Sequence, residues 1–344
     1  MDSLEYTAPQ YAETDAKKAY RTVGAALLAF IAATHIASIA LAYVVRSFFP
    51  SLLSTSWFSV ILNFVLIYCI GAPLFLIIIK KTPAIPREKK RMSAGSFICS
   101  SFMVVSCIYV FNIITIVIIT AIEYALDITV PNRLATSLVN SNFALTVVSN
   151  VIVAPVLEEL IFRKMLCDRL APYGERQAVF FSALAFSLFH ANLQQMLYAF
   201  ALGYIFGVIY VRTGKIIYPI ILHGIVNLVG SVPGLLVLKH DVSGVLERFS
   251  LISESGDTAA LIEYFAQNAH IIIPYLLYSF FLLFSVLAGT VLGLVFLKKL
   301  IRATDGSKMP RKKRIFIMFS DEYIALYVVF ALTLTVYGLI KELL

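Results

Sequence analysis

Six polar side chains interrupt stretches that are otherwise apolar: Glu158, Glu159 and Arg163 in APVLEELIFRK, His190 in FSLFHAN, and His223 with Asn227 in ILHGIVN. An ionisable group inside a membrane costs about 2.5–3.5 kcal/mol even on the mild insertion scale, so such groups are candidates for function. Residues four apart share a helix face, and Glu159 with Arg163 can form an ion pair that offsets the burial of both. Glu158 points about 100° away round the helix, towards Phe162 one turn on, and this spacing gives it no cation. A buried carboxylate so placed suits general acid or base chemistry. His223 and Asn227, also four apart, project into one space. A carboxamide is a poor ligand for a soft transition metal, whereas its NH₂ group is a good donor to a developing oxyanion. Glu158, His190, His223 and Asn227 are therefore the candidate working set, and Glu159 with Arg163 the candidate support.

The elements that must position these residues are membrane helices. The chain has 344 residues, 60% hydrophobic and 14% charged, with a mean hydropathy of +0.87, too apolar for a soluble domain. Apolar runs predict about eight to nine spans, near 22–45, 57–79, 94–122, 143–166, 177–192, 196–211, 216–237, 271–297 and 322–340. This is an all-α, polytopic bundle. The first twenty residues lack the features of a secretory signal, so the first span is expected to be retained. Residues 1–21 read as a cytoplasmic tail, 22–142 as N-terminal spans, 143–237 as the core holding the candidates, and 238–270 as a solvated extracytoplasmic loop. The C-terminal spans occupy 271–344, with a basic cytoplasmic loop at 298–314.

All Lys and Arg residues except Arg46, Arg133, Lys239, Arg248 and Lys341 fall in segments that an inside N-terminus places inside, so the positive-inside rule predicts that orientation. The net charge of +8 is explained by headgroups and topology, and no nucleic-acid partner is implied. The four cysteines stand singly and read as core filler. Gly203/Gly207 and Gly289/Gly293 are small-xxx-small pairs expected to let helices approach closely. Pro155, one turn before the carboxylates, removes a helix hydrogen bond and can kink the helix or open its backbone there. Counted at ~1.5 Å per residue from Arg169, Arg176 and Lys215, Glu158 lies roughly 16 Å deep, His190 roughly 21 Å, and His223 and Asn227 roughly 12 and 18 Å. All four can meet near mid-membrane.

Glu158-Glu159-x-x-x-Arg163, Phe186-x-x-x-His190 and His223-x-x-x-Asn227, in this order on successive spans, resemble the motifs of the CPBP family of intramembrane endopeptidases, the CAAX prenyl proteases and bacteriocin-processing (Abi) proteins. The resemblance covers roughly residues 140–235. It implies a water-filled chamber opening towards cytoplasm and lipid, and a membrane-associated peptide or protein substrate. It further implies that Glu158 and His190 activate water, that His223 and Asn227 hold the oxyanion, that Glu159 and Arg163 support the helix, and that Phe186 packs. A metal-free mechanism without cofactor is favoured. Zinc on Glu158, His190 and His223 is the alternative, although no HExxH is present. A silent immunity or scaffold protein and a proton-coupled transporter are the rival functions, the latter without visible repeats. Short termini and Abi-like spacing point to a bacterial cell membrane.

Overall fold

The computed structural model describes residues 13–130, 142–239, 242–301 and 309–340. Among these residues all regular structure is helical. The helices are α1 (Glu13–Phe48), α2 (Phe58–Ile79), α3 (Ala94–Leu126), α4 (Ala144–Tyr173), α5 (Glu175–Phe189), α6 (Leu193–Thr213), α7 (Ile217–Lys239), α8 (Val242–Glu254), α9 (Thr258–Ile301), α10 (Arg311–Phe319) and α11 (Glu322–Ile340). Seven of them, α1 to α4 with α6, α9 and α11, are long and apolar enough to cross a membrane. The chain is an integral multi-pass membrane protein. Leu277, Phe280 and Leu294 of α9 point outward, as lipid contact requires.

Helix ends follow local chemistry. The Ser93 side chain accepts from the Ser96 N–H at the start of α3, and Asp127 ends that helix in the left-handed conformation. Asn192 caps α6, and Gly214 at φ 60° terminates it. The expected spans 177–192 and 196–211 correspond to the α5–α6 hairpin. With 15 residues α5 is short, about 22 Å at 1.5 Å per residue, and it ends at His190 inside the bundle.

Other boundaries also shift. The first helix begins at Glu13 rather than near residue 22, because Ala16, Ala19 and Tyr20 are buried. The expected loop 238–270 is largely helical: α8 folds back on α9 through Phe249 and Phe265, ring centroids 6.4 Å apart, across a break at Gly256 with φ 73°. Arg133, His240, Asp241, Arg302, Lys308 and Lys341 lie outside the described residues.

The expected inside segments gather at one end of the bundle. The stretch between α2 and α3 is pinned there by Ile85 N–H to Asp168 O at 2.8 Å, Lys90 N–H to Thr213 O at 2.7 Å, and the Arg87–Glu175 ion pair. Arg169 donates to the Ile79 and Thr82 carbonyls. Arg21–Glu322 and Lys313–Glu13 pairs tie α1 to the C-terminal helices at the same end.

Two buried clusters hold the bundle. One includes Phe30, Phe75, Phe162 and Phe186 from α1, α2, α4 and α5. The other joins Val104, Leu202, Phe206, Leu222 and Val226 from α3, α6 and α7. The small-residue pairs act as expected at three of four positions. A side chain at Gly203 or Gly207 would meet Ala183 or Val179 of α5, and one at Gly289 would run into the Phe102 backbone, whereas Gly293 has open space around it.

Candidate active site

Along α4, π-helical turns at Val148–Val153 and Leu160–Met165 flank the α-helical segment Ala154–Glu159. Pro155 explains part of this. In the first wide turn the Ala154 N–H bonds the Ser149 carbonyl, and the next donor in that register would be residue 155, which has none. The Asn150 carbonyl left over accepts instead from Asn227 Nδ2 at 2.7 Å. Gly224 makes this possible, since a Cβ there would lie 3.1 Å from the Val151 carbonyl oxygen. Thus α7 lies directly on the opened backbone, and one Asn227 amide hydrogen is committed while the other has no partner among the described residues.

Glu159 and Arg163 are fully buried and paired at 3.1 Å, as the spacing predicts. The Arg163 guanidinium also lies 4.2 Å from the Phe186 ring centroid, a cation–π contact. Yet Glu159 does more than support Arg163. Its other oxygen lies 2.9 Å from His223 Nδ1. A carboxylate can only accept here, so Nδ1 carries the proton, and in the neutral ring Nε2 is a lone pair. That Nε2 lies 3.7 Å from Glu158 Oε2, and the Tyr68 hydroxyl lies 3.5 Å from Glu158 Oε1. Spacing along α4 gives Glu158 no cation, and the groups it meets come from other helices: the Tyr68 hydroxyl of α2, which donates to it, and the His223 ring of α7.

His190 likewise gives its Nδ1 proton to the Phe186 carbonyl at 2.8 Å. Phe186 stands edge-on to both imidazoles, with centroids 4.9 Å from His190 and 5.7 Å from His223. Phe206 stacks on the other face of His223 at 5.5 Å. The His223 ring is thus held between the two buried clusters. Next to His190, Ala191 adopts φ 44°, a conformation that costs an L-residue roughly 1–2 kcal/mol.

A cavity of about 610 Å³ is lined by Glu158, His190, His223 and Asn227 together, so all four members of the working set share one space. The lining continues along α3 to Glu123 and along α7 to Ser231, away from the end where the basic segments gather. As for zinc, the described residues contain no cluster of three His, Cys, Asp or Glu side chains arranged to hold a metal. As placed, Glu158, His190 and His223 do not form such a group. The sequence reading missed Tyr68 beside Glu158, and Asn150 and the polar positions of α3 in the cavity lining. Single polar residues in long apolar runs gave no recognisable motif.

Comparison with known proteins covers this same segment. Residues 140–229 match the family described as Type II CAAX prenyl endopeptidase Rce1-like. The matched residues are about a quarter of the chain and are similar to that family. A curated relative from Bacillus subtilis, named "Putative membrane peptidase YdiL", is 37% identical over 87 residues, which are 24% of this chain and 34% of that relative. The match thus spans about a third of the relative's length. No solved structure matches. The Rce1-like segment contains α4 through His223 and Asn227 of α7, and so every residue of the working set.

Proposed function

We propose that the protein is an intramembrane endopeptidase that hydrolyses a peptide bond in a membrane-associated protein or peptide. The observation carrying this reading is the single cavity lined by two imidazoles, a carboxylate and a carboxamide within the segment similar to the Rce1-like family. Glu158, with His190, takes a proton from water, whose oxygen attacks the scissile carbonyl. His223, its ring fixed through Nδ1 by Glu159, and Asn227 flank the oxyanion, to which the uncommitted Asn227 amide hydrogen donates. The proton held by Glu158 then passes to the leaving amine. Arg163 pairs with Glu159 and holds it in place, and Phe186 with Phe206 clamps the His223 ring.

The test is cleavage of a liposome-bound library of peptides, some with prenylated C-termini and some with a transmembrane anchor, followed by mass spectrometry. Wild type is expected to cut members of the library, and Glu158→Ala and His223→Ala to lose about 10²-fold or more of that activity. Full activity in both variants would refute the reading, as would a uniformly uncut library, which would favour a binding or transport role. A chelator arm addresses metal: turnover is expected to persist in protein shown metal-free by elemental analysis, and its loss with recovery on zinc would replace the metal-free mechanism.

A further inference from the structure

One wall of the cavity is α3, whose lining residues recur every three or four positions. Most of the polar groups on that wall are already engaged. Tyr109 shares a hydrogen bond with Tyr278 of α9 at 3.2 Å, Thr115 donates to the Phe111 carbonyl, and Glu123 accepts from the Val130 N–H. Asn112 differs. It sits in the middle of a 33-residue helix, half-buried against the cavity, and its carboxamide has no hydrogen-bond partner among the described residues. Its chain neighbours Ile113 and Ile114 face outward. Asparagine is a poor helix former and is costly in an apolar span, so packing alone gives no reason for it there.

A carboxamide presents a donor and an acceptor side by side. In an extended peptide the N–H and C=O of one residue point to the same side, which is how antiparallel strands exchange paired bonds. We propose that Asn112 binds the main chain of the substrate, pairing its carboxamide with the N–H and C=O of one residue held extended in the cavity. The proposal rests on the endopeptidase reading. Such a contact reads backbone and ignores side chains, so it sets the register of the scissile bond while tolerating varied sequences. The substrate class is then an unwound, extended segment rather than an intact helix, whose backbone groups are already bonded to one another.

The probe is the library peptide that wild type cuts fastest, synthesised as a set with one amide replaced by an ester at each position in turn. Its affinity is measured on Glu158→Gln protein in nanodiscs, which reads binding separately from cleavage. One ester position is expected to weaken binding about tenfold, as one lost hydrogen bond would. The Glu158→Gln/Asn112→Leu protein is expected to bind the parent peptide about tenfold more weakly and to show no penalty at that position. Equal ester penalties in both proteins, or undiminished affinity in the double variant, would overturn the proposal. A thermal melt checks that the double variant is folded, and Asn112→Gln in place of Leu is expected to recover part of the affinity. If wild-type cleavage proves independent of Glu158, the hydrolytic mechanism fails while the ester pattern still decides the role of Asn112.

Discussion

Glu159 has two obligations, and substitutions can separate them. It neutralises the buried Arg163 and holds the His223 Nδ1 proton. Removing its charge alone leaves a buried, unpaired guanidinium, so Glu159→Gln is expected to lower stability by about 3–5 kcal/mol and to lose activity. Replacing both partners, as Glu159→Gln/Arg163→Met, should restore the melting temperature while activity stays down about 10²-fold or more, because His223 loses its orienting carboxylate. Recovery of activity with stability would assign Glu159 a purely structural role. Ala191 is the second residue-scale case. Ala191→Gly relieves the strain at φ 44° and should raise stability by about 0.5–1 kcal/mol, the strain less the extra entropy of glycine. A fall in turnover at that higher stability would show that the strained turn holds His190 in place.

Among the elements, α4 and α7 carry the design between them. Pro155→Ala supplies the missing backbone N–H and lets the helix compete for the Asn150 carbonyl. The variant should melt no lower than wild type and cleave more slowly, because Asn227 loses its anchor. Gly224→Leu places atoms against the Val151 carbonyl and should destabilise by about 1–3 kcal/mol, whereas Gly293→Ala, in open space, should change neither stability nor activity. The comparison is read from thermal melts in one detergent. These elements also show where sequence reasoning stops. Four-residue spacing sufficed for the Glu159–Arg163 pair and for placing His223 with Asn227, since both are properties of a single helix. The π turns, the Asn150 carbonyl and the contact of His223 with both carboxylates depend on how α7 lies on α4. No periodicity within either helix carries that information. The helical α8 was missed because its charged residues read as a solvated loop, although charges on one face of an amphipathic helix give the same composition.

For the whole molecule, membrane location was legible from composition alone, because about twenty apolar residues per span leave a signal that local chemistry cannot hide. The meeting of the basic segments at one end was legible from charge. Single cysteines placed at Lys89 and at Ser255, in a background lacking the four native ones, test orientation: the first should react with a membrane-impermeant thiol reagent only after the cytoplasmic side is exposed, and the second without that treatment. The reverse pattern would invert the molecule. Hydrolysis by this site requires Glu158 to direct water at a peptide bond. Cleavage of the best library peptide in H₂¹⁸O, with metal-free protein under single-turnover conditions, measures this directly. One ¹⁸O atom should enter the new carboxyl terminus with wild type and none above background with Glu158→Gln. Equal incorporation by the two proteins would contradict it.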